Sequence, residues 1–227
     1  MKADWGASVC FGILMFPVRV ISPMRRGQAI EQLAKEIRSC TLCPALCATR
    51  TQAVPGAGVL SADVLFIGEA PGRLGADRTG VPFTKDRSGE LLRSIIDQLS
   101  RHYGKPLSVY ITNIVKCNPQ TDGGANRKPR PSEVRNCSAF LQREIALVRP
   151  KVIVTLGALA AAEVLGEADH DWWMLVEGPI PIFVAKHPAY VVRGGGRERL
   201  TPAKYLRKPL PVLKWILPPL PQSIGQV

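Results

Sequence analysis

Residues 64–72 read Val64-Leu65-Phe66-Ile67-Gly68-Glu69-Ala70-Pro71-Gly72. The run Val64–Ile67 is apolar, partly β-branched and too short for a helix, and Gly68 closes it, which is the pattern of a buried strand with a sharp end. Directly after it comes a carboxylate, Glu69, on a backbone whose glycines permit close approach of a ligand. No Gly-Lys-Ser/Thr follows and the spacing is not Gly-x-Gly-x-x-Gly, so the segment is neither a nucleoside triphosphate loop nor a dinucleotide fingerprint.

The same alternation of short apolar runs and helical spacing continues on both sides. Upstream, Ile30, Leu33, Ala34 and Ile37 predict an amphipathic helix ending near Ser39. Downstream, Leu92, Ile95, Ile96 and Leu99 trace a helical face, and Val109–Thr112 predicts a second strand ending at Asn113. Residues Val134, Cys137, Leu141, Ile145 and Val148 mark another helix, Lys151–Leu156 a third strand, Gly157–Leu165 a short helix and Ile180–Ala185 a fourth strand. This βαβαβαβ order predicts a single-domain, three-layer α/β/α fold with a four-stranded, mostly parallel sheet covered on both faces. Ligands of such sheets lie outside the carboxyl ends of the strands. The segments 68–72, 113–120 and 186–193 are therefore the places to look for chemistry.

The expected domain covers residues 26–208. An irregular apolar extension, 1–25, precedes it, and a Pro-rich tail, 209–227, follows it with Pro209, Pro211, Pro218, Pro219 and Pro221. Those prolines preclude a continuous helix across the tail. The longest apolar run near the start, Val9–Phe16, is interrupted by Gly12 and far too short to span a bilayer. No small-residue cleavage pattern follows it, and the chain reads as cytoplasmic. The 227 residues carry 30 Lys and Arg against 18 Asp and Glu, a formal charge of +12. Such an excess points to a polyanionic partner, nucleic acid first. The loop Thr121–Pro131, with Arg127, Lys128 and Arg130, holds one cluster of that charge, whereas Arg25 and Arg26 read as solvated surface.

Six cysteines in such a chain suggest metal or reactive thiols rather than disulfides. Cys40 and Cys43 form a Cys-x-x-Cys pair, and Cys117 and Cys137 complete a four-thiolate set that suits zinc or an iron-sulfur cluster equally well. Cys47 competes as a ligand or packs as a core thiol, and Cys10 is the least suited. Two further segments gather near the strand ends. Arg78-Thr79-Gly80-Val81-Pro82-Phe83 brings an aromatic ring able to stack on a base. His187-Pro188-Ala189-Tyr190-Val191-Val192-Arg193, running into Gly194-Gly195-Gly196-Arg197, offers a donor to an anion and cations to phosphates.

Taken in order, Gly-Glu-Ala-Pro-Gly (68–72), Arg-Thr-Gly-x-Pro-Phe (78–83), Tyr-Ile-Thr-Asn-Ile-Val-Lys-Cys (110–117) and His-Pro-Ala-Tyr-Val-Val-Arg (187–193), together with Cys-x-x-Cys and a late Cys, resemble the iron-sulfur members of the uracil-DNA glycosylase superfamily. The resemblance covers about Ile30 to Arg193. The acidic first motif and the His-Pro segment are similar to family 4, while 75–80 and 83–89 are similar to family 5, whose first motif lacks the Glu.

The resemblance implies a structural [4Fe-4S] cluster on Cys40, Cys43, Cys117 and Cys137, tying the N-terminal helix to the loop after the second strand. It implies hydrolysis of the N-glycosidic bond of uracil in single- or double-stranded DNA; the enzyme is expected to be monofunctional, because no Lys is placed as an obvious Schiff-base nucleophile, and to act as a monomer. Gly68 and Ala70 would border the base, Phe83 would stack on it and Asn113 would pair with its polar edge. His187 would bond the uracil oxygen, and Glu69 would handle the water, with Asp86 in reserve. Pro188, Ala189, Tyr190 and Val191 would form a loop filling the gap left in the base stack, with Lys116, Arg193 and Arg197 on phosphates. A different class of protein, a non-catalytic nucleic-acid binder keeping fold and cluster, is the alternative, and the carboxylate at Glu69 argues against it.

Overall fold

A computed structural model describes residues 23–166, 172–194 and 201–207. The expected extension as far as residue 22, Cys10, Arg197 and the tail from residue 208 lie outside the described residues.

All four expected strands form, and they pair in parallel. They are β2 (Val64–Gly68), β3 (Val109–Asn113), β4 (Val152–Leu156) and β6 (Ile182–Ala185). Two antiparallel strands of two residues, β1 (Ala57–Gly58) beside β3 and β5 (Leu175–Val176) beside β6, extend the sheet to six in the order β1-β3-β2-β4-β6-β5. These edge strands are too short to carry any alternation that a sequence reading detects. The central strands β2 and β4 are buried along their whole length, as a parallel sheet covered on both faces requires.

Alternate residues of each strand feed two cores. Leu65, Ile67, Ile153, Ile182 and Val184 face α1 (Pro23–Arg38), α5 (Pro131–Val148) and α6 (Ala158–Leu165). Val64, Phe66, Val152, Val154 and Phe183 face α4 (Arg87–His102), α7 (Pro188–Val192) and α8 (Pro202–Arg207). The two short helices α2 (Pro44–Thr49) and α3 (Ala76–Thr79) sit in the connections before β1 and after β2. Helix α5 buries Val134, Cys137, Leu141, Ile145 and Val148, the stripe read from the sequence. No helix among the described residues is long and apolar enough to cross a membrane.

Three expectations need correcting. Helix α1 spans Pro23–Arg38, so residues 23–25 of the expected irregular extension are helical. Within it Arg26 is 9% exposed and donates to Ser61 Oγ and the Leu147 carbonyl, so it is a packed tie between elements rather than solvated surface. Residues 188–192 form helix α7 rather than a loop, because Pro188 is well suited to a first helical turn and His187 caps it.

Candidate active site

Strand register sets the site. Gly68 lies opposite Asn113 across β2 and β3, and Leu156 lies opposite Ala185 across β4 and β6. The chain leaving each strand therefore emerges on one edge, and the loops are stitched together by Ile114 N–H to the Gly68 carbonyl (2.9 Å) and Val115 N–H to the Glu69 carbonyl (3.1 Å). Between them lies a cleft of about 230 Å³, roomy enough for a single extruded base, lined among others by Glu69, Ala70, Phe83, Asp86, Asn113, His187 and Arg193. Separate sequence segments thus converge on one cavity.

Gly68 is a spacer. A Cβ there would lie 2.5 Å from Asn113 Oδ1 and 2.7 Å from the Phe83 ring, so only glycine lets both side chains reach the cleft. Phe83 itself adopts a left-handed backbone, φ 52°, and its ring centroid lies 5.6 Å from that of His187. Asn113 is 1% exposed and its Oδ1 has no hydrogen-bond partner. A buried acceptor left unpaired costs about 1–3 kcal/mol, which a ligand donor would recover.

His187 caps α7 by accepting the Ala189 N–H at Nδ1, 3.0 Å. With Nδ1 committed as acceptor, the ring proton of the neutral form sits on Nε2, which is left as the donor. Burial and the nearby Arg193 guanidinium push its pKa down to about 4, so the ring is neutral near pH 7. Behind it Gly157 takes φ 100°, with the position of a Cβ only 3.2 Å from His187 Cβ.

Glu69 is half-buried, and burial lifts its carboxyl above the usual range against the pull of Lys128 and Arg193. Its side chain carries no hydrogen bond to another described residue. Asp86 differs: Oδ1 caps α4 by accepting Gly89 N–H at 2.7 Å. Asp86 and Glu69 both border the cleft, Asp86 with one carboxylate oxygen engaged at the helix cap.

Lys116 does not face the cleft mouth. It is 1% exposed, and its Nζ donates to Glu144 Oε2 (2.6 Å), the Asn113 carbonyl (2.6 Å) and Thr112 Oγ1 (2.8 Å). The expected phosphate contact is instead a buried brace beneath Asn113. Pro188 is also buried, Val191 is buried in the second core, and Tyr190 is half-buried with Lys186 Nζ 4.9 Å from its ring centroid. Arg193 is exposed at the cleft rim, as are Lys128 and Arg130 on the loop before α5, whereas Arg127 pairs through both terminal nitrogens with Glu133.

Sequence reading missed Asn118, 0% exposed on the cleft wall. Its Nδ2 donates to the Pro71 carbonyl (2.6 Å) and to Asn126 Oδ1 (2.9 Å), which ties the loops after β2 and β3 together. Its place in the 113–120 segment after the second expected strand was the signal that could have found it.

Cys40, Cys43, Cys117 and Cys137 all line a second, small cavity between α1, α5 and the segment after β3. Arg50 donates to Cys117 Sγ (2.8 Å) and to the Cys40 carbonyl (2.7 Å), and Asn136 donates to Cys43 Sγ (3.3 Å). Burial pushes the Cys117 thiol up to about 11 against the opposing pull of Arg50. Cys47 does not line that cavity; its thiol faces the Cys40 carbonyl at 3.7 Å. Among the described residues no three His, Cys, Asp or Glu side chains are gathered as a site for a metal ion.

The cleft at the carboxyl ends of the parallel sheet is thus furnished with an aromatic ring, an amide, a neutral imidazole and carboxylates, in an α/β protein. The family model of the uracil DNA glycosylase superfamily matches residues 55–214, and the chain belongs to that superfamily. A type-4 uracil-DNA glycosylase of Thermotoga maritima is 35% identical over 185 residues, 76% of this chain and 88% of that protein. One from Sulfurisphaera tokodaii is 35% identical over 176 residues, 71% of this chain and 74% of that protein. A type-5 uracil-DNA glycosylase of Pyrobaculum aerophilum is 33% identical over 161 residues, 60% of this chain and 69% of that protein. The dual likeness of the motifs to families 4 and 5 thus extends to whole relatives.

Proposed function

We propose that the protein is a DNA-repair glycosylase that hydrolyses the N-glycosidic bond of uracil in DNA and leaves an abasic site. The observation that carries this reading is the convergence of Glu69, Phe83, Asn113 and a neutral His187 on one cleft. The uracil nucleotide leaves the stack at a cost of a few kcal/mol, less where it is mispaired. Phe83 stacks on the base. The unpartnered Asn113 Oδ1 accepts the uracil N3–H while the amide donates to O4, a pattern that cytosine, with an acceptor at N3 and a donor at N4, does not match.

As the C1′–N1 bond breaks, its electron pair goes to the base and positive charge grows on the sugar. The His187 Nε2–H bonds O2, where negative charge collects. Glu69, as carboxylate, favours the cationic sugar and takes the proton of the water whose oxygen joins C1′. The protein acts as a cytoplasmic monomer on single- or double-stranded DNA, with Arg193 and the 128–130 loop contacting phosphates.

Glu69→Gln keeps the volume and removes both the charge and the base. Its expected effect is a loss of about 10²–10⁴-fold in single-turnover uracil release with little change in DNA affinity. Unchanged turnover would remove Glu69 from the mechanism.

The four cysteines around one cavity would hold a [4Fe-4S] cluster, whose several irons take thiolates set wider apart than a single metal ion does, and it would supply a structural cross-link between α1, α5 and the segment after β3. Cys117→Ser is expected to lose iron and the brown colour of the purified protein together. A colourless, zinc-loaded and fully active wild-type protein overturns the cluster assignment.

A further inference from the structure

The hydrogen bonds of His187 run forward into α7: Ala189 N–H to Nδ1 (3.0 Å) and Tyr190 N–H to the His187 carbonyl (2.9 Å). The peptide on its other side, between Lys186 and His187, is held from α8, where the Tyr205 hydroxyl donates to the Lys186 carbonyl. We infer that Tyr205 is a positioning residue for His187, fixing the Lys186–His187 peptide so that Nε2 is presented to the cleft; the inference rests on the glycosylase reading above and deepens it.

Tyr205 stands beyond Arg193, where the motifs end, and is 2% exposed in the second core. Burying a hydroxyl is unfavourable unless it is paired, so the bond to Lys186 is what a tyrosine adds there over a phenylalanine. The ring that carries the hydroxyl is fixed as well. Trp173 meets it edge-on, with centroids 5.1 Å apart and planes at 79°, and Trp173 also lies 6.4 Å from the ring of Phe183 on β6. Trp173 takes a left-handed backbone, φ 70°, which a bulky residue keeps where its surroundings hold it, and its N–H bonds the Val184 carbonyl at 2.8 Å. Lys186 is held at its far end too: it is 7% exposed, with Nζ 5.4 Å from the Trp172 ring centroid and 4.9 Å from that of Tyr190. With its carbonyl and its ammonium both anchored, the peptide plane leading into His187 is not free to swivel. That plane sets where the His187 side chain leaves the backbone, and a misplacement of about 1 Å at a reacting group costs up to about 10²-fold in rate.

Tyr205→Phe deletes the hydroxyl and keeps the ring. Tyr103→Phe is the control, since it deletes another tyrosine hydroxyl packed against the same core, one without a hydrogen-bond partner among the described residues. Single-turnover uracil release and affinity for the same DNA are measured for both, for His187→Ala and for Tyr205→Phe combined with His187→Ala. Tyr205→Phe is expected to lower the rate at least about tenfold with affinity unchanged. In the His187→Ala background the same change is expected to lower it less than about twofold, because a residue acting through His187 has nothing left to act on. Tyr103→Phe is expected to leave the rate unchanged. Nitrogen-15 NMR of the three histidines, with His187→Ala supplying the assignment, reads the ring directly. Wild type is expected to show His187 protonated at Nε2 alone, and Tyr205→Phe an average of the two tautomers. Equal rate losses in the two backgrounds, a loss in Tyr103→Phe as large as in Tyr205→Phe, or an unchanged rate and NMR pattern in Tyr205→Phe overturns the assignment. Wild-type protein that releases no uracil refutes the glycosylase reading instead, and the NMR comparison then decides whether Tyr205 positions His187.

Discussion

His187→Ala is expected to lower the rate of uracil release by about 10²–10³-fold, the usual effect of removing one preorganised donor from a site of developing negative charge. Single-turnover kinetics on uracil-containing DNA measures it, with affinity for the same DNA as the companion value. The substitution also removes the α7 cap, whose loss costs about 1 kcal/mol of stability. His187→Asn separates the two effects. Asparagine is a good cap, but its shorter side chain withdraws the donor from the cleft. Both variants should lose rate alike, and recovery in His187→Asn would show that the helix, not the donor, was responsible.

The pH profile tests the same assignment. A neutral His187 with a pKa near 4 already carries its Nε2 proton throughout the neutral range. It therefore imposes no loss of activity as pH rises through 6 to 8, where an imidazolium donor would deprotonate. Glu69 must be ionised, and its raised pKa places the acid limb above the ordinary carboxylate range. Activity should fall as pH drops through that limb, first from protonation of Glu69 and then from charging of His187. In Glu69→Gln the residual rate should lack the first of these steps.

The parts of the molecule legible in the sequence are those in which local pattern and tertiary burial coincide. Val64–Gly68 and Val152–Leu156, with only Thr155 polar, are apolar because both of their faces are covered, and the α5 stripe is regular because that helix packs one side on the core. The candidate site was legible for a topological reason: a carboxylate just after β2, an amide at the end of β3 and an imidazole two residues past β6 all lie at strand ends, and parallel strands deliver their ends to one edge. Failures came where a residue's fate depends on a distant partner. Lys116 looks like a phosphate ligand until Glu144, 28 residues on, is seen to pair with it. Arg26 looks like surface until Ser61 and Leu147 receive its guanidinium. The resemblance implies a loop over 188–191, yet a proline at a first turn starts a helix there. Part of the +12 charge is thus internal scaffolding, and only the remainder can meet DNA.

Lys116→Met should be among the most destabilising single substitutions in the domain. The side chains of Lys116 and Glu144 are 2% and 1% exposed, and besides Lys116 the Glu144 carboxylate takes, among the described residues, Thr112 Oγ1 (2.7 Å) and Gly56 N–H (2.8 Å). Removing the cation leaves a buried carboxylate without its counter-charge, which costs about 3–5 kcal/mol. That is a large share of the roughly 5–15 kcal/mol by which domains are stable. Adding Glu144→Gln removes the stranded charge as well, and the double variant should recover much of the loss, since burial of an ion pair and of its neutral replacement are close in free energy. Denaturant unfolding of the four proteins measures the coupling; a loss below about 1 kcal/mol in Lys116→Met would place the lysine in a far wetter environment than the one described. DNA binding supplies an independent discriminator. A lysine on phosphate contributes about one unit to the slope of log affinity against log salt, so a buried Lys116 requires that slope to be the same in the variant as in the wild type.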